Sequence, residues 1–136
     1  MNEDLLKLQP SRLWYYFTEI LKIPRPSKKE EKIIAYLLDF GKNHKLETLQ
    51  DEIGNVLIRK PGTKGMGNRV VTVLQSHVDM VCEKNNDTVH DFSKDSIKMM
   101  RDGEWMTADG TTLGADNAIG FCMGLAIMDD DSVEHG

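Results

Sequence analysis

Apolar positions in the N-terminal part of the chain recur with the period of a helix. From Ser11 to Leu21 they fall at Leu13, Trp14, Phe17, Ile20 and Leu21, the i, i+1, i+4, i+7, i+8 spacing of one buried helical face, and this predicts a helix. The run breaks at "IPRP". Ser27 and Glu30 then form the S-x-x-E pattern of a capping box ahead of Ile33, Ile34, Leu37, Leu38 and Phe40, which predicts a second helix to about Lys42. Glu30 and Glu31 make up the only Glu-Glu pair in the chain. They fall in that helix's first turn, where negative charge meets the positive end of the dipole, and read as capping rather than catalysis.

Beyond this the pattern shifts to strand-length apolar segments: "LETLQD", "NVLIRK" and "RVVTVLQS". Residues 70–76 lack polar alternation apart from Thr72, which predicts a central strand of an α/β sheet, buried on both faces. The connector "PGTKGMG" lacks GxxxxGK[ST] and leads into a strand, so it reads as a flexible connection and not a phosphate loop. "SIKMMRDGEWMTADGTTLG" predicts one or two short strands with Asp-Gly turns at 102–103 and 109–110. "DNAIGFCMGLAIMDD" predicts a helix, its small residues Gly120 and Gly124 suited to lying close against a sheet. No repeat, low-complexity stretch or interdomain linker interrupts the pattern.

Composition narrows the function classes. The chain has 136 residues, 40% hydrophobic and 29% charged, a size that fits one globular domain with a real core. The net charge is -5 with a pI near 5.3, and the basic residues are scattered, so nucleic acid is not an expected partner. "MNEDLLKLQP" carries early acids and no apolar leader. The longest nearly apolar stretch, Ala118 to Met128, is short of the roughly 20 residues a membrane span needs. A cytoplasmic protein without membrane attachment is the expectation. Cys82 and Cys122 have no CxxC spacing, so reduced thiols are expected in place of a zinc knuckle or a disulfide framework.

Two constellations carry candidate chemistry. His77 stands at the carboxyl end of the apolar strand, where open α/β sheets gather ligands. Extended backbone points residues 77 and 79 to the same side. His77 is thus a candidate metal ligand with Asp79 orienting its imidazole; a strand-end histidine beside a turn-capping aspartate is the plainer alternative. Asp116 lies between a glycine-containing loop and an apolar helix. At such a place a carboxylate can simply accept helix N–H bonds, or it can bridge two cations through its two oxygens. "DDDSVEHG" lacks the twelve-residue acidic loop of a calcium site and reads as a solvated acidic end. His44, His90 and His135 show no partner pattern and read as surface residues.

"QSHVDMVCEKN" followed by "DGTTLGADNAIG" resembles the aminoacyl-histidine dipeptidases, or cytosolic non-specific dipeptidases, a branch of the dinuclear zinc metallopeptidases. The resemblance extends to "ILKIPRPSKKEEKI" and "DEIGNVLIRKPGTKG" and spans essentially the whole chain. It implies a three-layer α/β/α catalytic domain with a mixed sheet and flanking helices, hydrolysis of Xaa-His and broader dipeptides by a two-zinc-activated water, and a homodimeric full-length enzyme. It also implies His77 as a zinc ligand, Asp79 as the catalytic carboxylate that holds and polarises it, and Asp116 as the bridge between two zinc ions. Asn117 stands where the wider superfamily usually has a second aspartate, and a cis peptide is implied just after the bridging residue. The family's Glu-Glu pair, with its general base, its other ligands and its lid or dimerisation domain have no match in residues 1–136. The resemblance therefore implies an N-terminal portion of the catalytic domain, inactive alone. A non-catalytic binding or self-association module of the same ancestry is the alternative.

Overall fold

The structure, a computed structural model, describes residues 7–136; the early acids Glu3 and Asp4 lie outside them. Helix α1 spans Ser11–Ile20, α2 spans Glu31–Asn43 and α3 spans Ala115–Met128. The faces read from periodicity are the faces that are buried. Leu13, Phe17 and Ile20 of α1, Ile33, Leu37 and Phe40 of α2, and Ala118, Phe121, Cys122 and Leu125 of α3 share one hydrophobic cluster. Burying each large apolar side chain contributes about 1.5–3 kcal/mol relative to exposure. Tyr16 joins this core, its ring edge-on to Phe40 at 5.6 Å between centroids. Cys82 and Cys122 are free, as expected, and burial pushes the Cys122 thiol up to about 12.

Among the described residues four short strands form two separate antiparallel hairpins. Strand β1 (Glu47–Gln50) pairs with β2 (Val56–Arg59), and β3 (Met99–Asp102) with β4 (Trp105–Ala108). Asp51 closes the first hairpin, its Oδ1 accepting from the backbone N–H of Ile53, Gly54 and Asn55 at 2.8–3.0 Å. The second hairpin turns at the expected Asp-Gly step, where Gly103 adopts φ +58°, a conformation that costs glycine little. Among the described residues no helix is long and apolar enough to cross a membrane.

Four expectations need correction. Ser27 and Glu30 do not build a capping box: α2 has no side-chain cap bond, the Ser27 hydroxyl goes to Asp79, and Glu30 Oε1 accepts from the Lys28 backbone N–H. Residues 71–79 join no strand, and Val70, Val71, Val73 and Leu74 are 58–89% exposed. A central strand needs paired strands at its edges and packed layers on its faces, and neither hairpin bonds to this segment, so no mixed layered sheet is assembled within residues 7–136. Helix α3 packs against α1 and not on a sheet. His44 is no loose surface residue; it stacks on Phe40, its Nδ1 lies 2.9 Å from the Phe40 carbonyl oxygen, and its Nε2 lies 3.0 Å from Asp129 Oδ1.

Candidate metal centre

The loop joining α1 to α2 and the segment after residue 70 meet in a short parallel bridge at Pro26 and Met80. Met80 N–H donates to the Arg25 carbonyl at 3.0 Å, and Ser27 N–H donates to the Met80 carbonyl at 3.3 Å. This contact fixes the backbone around Asp79. The side chains of residues 77 and 79 meet, His77 Nδ1 lying 2.8 Å from Asp79 Oδ1. The second Asp79 oxygen accepts from the Ser27 hydroxyl.

Asp116 arrives from the other side. Gly114, at φ +71°, turns the chain into α3, and the Asp116–Asn117 peptide bond is cis, as the resemblance implied. Asp116 and Asn117 depart from helical dihedrals, so the regular helix begins after them. The capping role open to Asp116 in the sequence falls to Asn117, whose Oδ1 accepts from Gly120 N–H at 3.2 Å. The Asp116 side chain is left 96% exposed, and its Oδ1 lies 3.1 Å from His77 Nε2.

The protonation chemistry of this row is constrained. Asp79 accepts from Nδ1–H, which leaves Nε2 of a neutral imidazole as a lone pair facing a carboxylate oxygen. Two acceptors face each other unless a proton or a cation lies between them. Accordingly the hydrogen bond with Asp116 raises the His77 pKa, against some desolvation and with added help from Asp79. The Ser27 hydroxyl lowers the Asp79 pKa, opposed by partial burial and reinforced by His77. The pair of His77 Nε2 and Asp116 Oδ1 thus fits part of a divalent-cation site. Among the described residues no group of three or more His, Cys, Asp or Glu side chains is arranged to hold a metal.

All three residues singled out in the sequence, His77, Asp79 and Asp116, come together. Ser27 and Arg25 were missed. Ser27 carries a local helix-start pattern, and its true partner lies 52 residues away, a separation that no short-range pattern reports. In the acidic end Asp130 accepts from the Ser132 hydroxyl and Asp131 pairs with the Lys60 ammonium.

No family model matches the chain. Its sequence is 51% identical over 133 residues, 98% of this chain, to the cytosol non-specific dipeptidase of Escherichia coli, of which it covers 27%. The likeness is to dipeptidases. The structure superposes with a TM-score of 0.95 on the aminoacylhistidine dipeptidase of Vibrio alginolyticus, at 45% identity over 100% of this chain and 28% of that one. A tripeptidase from Staphylococcus aureus, at 22% identity and a TM-score of 0.66 over 92% of this chain and 34% of that one, shares the fold. The resemblance read from "QSHVDM" and "TTLGADNAIG" and the α/β assignment are borne out. The chain spans little more than a quarter of the length of the dipeptidases it matches.

Proposed function

We propose that residues 1–136 are the N-terminal portion of the catalytic domain of a cytoplasmic metallo-dipeptidase that cleaves Xaa-His and broader dipeptides and works as a homodimer. The observation that carries this reading is the row Ser27–Asp79–His77–Asp116, which ends in an imidazole nitrogen facing an exposed carboxylate at 3.1 Å. His77 and Asp116 would be the residues of this chain that hold zinc. Zinc, when bound, supplies the Lewis acidity that polarises a scissile carbonyl and makes water more acidic.

The chain's own residues prepare that site. Asp79 holds the His77 proton on Nδ1, so that Nε2 is presented as a ligand atom, and Ser27 holds Asp79. Asn117 caps α3 and leaves Asp116 free. Two donors are fewer than the three or four protein ligands of a zinc site. The general base and the remaining ligands would therefore come from outside the described residues.

The test compares zinc-dependent hydrolysis of Xaa-His dipeptides by residues 1–136 alone and by the protein extended to the length of its relatives. The extended protein is expected to hydrolyse and the short chain to be inactive. Hydrolysis by the short chain overturns the division of labour, and inactivity of both overturns the enzymatic reading. In the latter case a self-association module, which the exposed residues 70–74 favour, takes its place.

A further inference from the structure

The side chain of Arg25 is buried to 1% exposure and is the largest fully buried one among the described residues. A guanidinium does not lose its charge in a protein, and burying it is costly unless its donors are matched. Its partners are all backbone carbonyls. Nη1 donates to Val78 O and Asp79 O, each at 3.2 Å, and Nη2 donates to Gly114 O at 2.9 Å. These carbonyls lie on two segments far apart in the chain. One carries His77 and Asp79; the other runs into Asp116.

We infer that Arg25 is a positioning residue whose planar fork holds the segment bearing His77 and Asp79 against the segment bearing Asp116. The inference rests on reading His77 and Asp116 as a pair that shares a cation. A core-filling role would be met at lower cost by an apolar side chain, and capping one loop would need carbonyls from one loop only. The rigid guanidinium instead fixes two groups at a set angle and separation.

Gly114 supplies an independent observation. At φ +71° a Cβ there would come within 2.6 Å of Arg25 Nη2 and 2.9 Å of Met80 Sδ, so the loop approaches the guanidinium as closely as bare backbone allows. The main chain of Arg25 is pinned to the same place by the bond from Met80 N–H. Residue 25 therefore grips the site through both its backbone and its side chain.

The test uses the full-length protein with Arg25→Lys and Arg25→Met, each alone and combined with Asp116→Asn. Zinc affinity is read by competition with a chromophoric chelator, and fold by circular dichroism. Arg25→Lys keeps the charge but loses the fork. It is expected to stay folded and to bind zinc about 10-fold or more weakly, the scale of losing a group that orients a ligand, with little further loss in the Asp116→Asn background. Unchanged affinity within about twofold, or equal losses in both backgrounds, overturns the inference.

If the variants do not fold, the wild type decides. Slowly exchanging Arg25 Nη protons, hydrogen-bonded by NMR to the carbonyls of residues 78, 79 and 114, are expected, and their absence overturns the inference. If the wild type binds no zinc, the metal reading fails on its own. The metal-free tautomer of His77, read by 15N shifts above its titration, then tests Arg25. Nδ1–H alone is expected in the wild type and a mixture in Arg25→Lys; an unchanged tautomer overturns the role.

Discussion

Asp79 spends its two oxygens on different tasks, one on His77 and one on Ser27, and so converts a hydroxyl in the loop before α2 into control over an imidazole. Asp79→Asn keeps the shape but can present an N–H where His77 needs an acceptor, which favours the wrong tautomer. Isothermal titration of zinc into the full-length protein is expected to show about a 10- to 100-fold loss of affinity. Ser27→Ala leaves the imidazole contact in place, and a smaller loss, roughly a few-fold, is expected in the same measurement. At this scale His77 and Asp79 were legible because the period-2 alternation of extended backbone relates neighbours two apart. Asp116 was legible through its motif. Ser27 was not, because a local pattern, the capping box, competed for the same side chain and lost to a tertiary partner.

At the level of elements, two junctions set the frame. Gly114→Ala combines a left-handed φ with a Cβ 2.6 Å from Arg25, and denaturant unfolding is expected to show a destabilisation of about 1–3 kcal/mol. The second junction lies at the C-terminal end of α3. Asp129 accepts from Arg12 and Tyr16 and faces His44, so it ties α3 to α1 and α2. Burial pushes its carboxyl up, but the bonds from Tyr16, Arg12 and His44 outweigh that and hold it below its ordinary value of 3.8. A depressed folded pKa gives stability that is present above the unfolded value and lost as pH falls through the folded one. Asp129→Asn is therefore expected to cost about 1–2 kcal/mol near neutral pH. The gap from wild type should narrow as the pH falls below the ordinary value of 3.8 when melting temperature is followed against pH. Helices α1 and α2 were legible because an amphipathic face is written in 3.6-residue spacing. The packing of α3 was not, since a helix apolar on every side names no partner.

Over the whole molecule the sequence and the structure part ways at residues 70–74. Their composition describes a strand covered on both faces, yet four of their apolar side chains stand 58–89% exposed. The pattern reports an environment, and the described residues do not supply it; helical faces, by contrast, found their partners within the chain. An unpaired segment with exposed apolar side chains invites pairing. Residues 1–136 alone are expected to self-associate with rising concentration in sedimentation velocity, and Val73→Lys is expected to weaken that association. The central claim concerns the two side chains that meet below this segment. Zinc titrated into the full-length protein and into His77→Ala, Asp116→Ala and the double variant measures it directly. If both residues hold one cation, each single variant loses at least about 100-fold in affinity, the upper end of what a ligand's supporting partner costs, and the double variant loses little more. Wild-type affinity in either single variant, or losses that add in full, contradicts a shared ion.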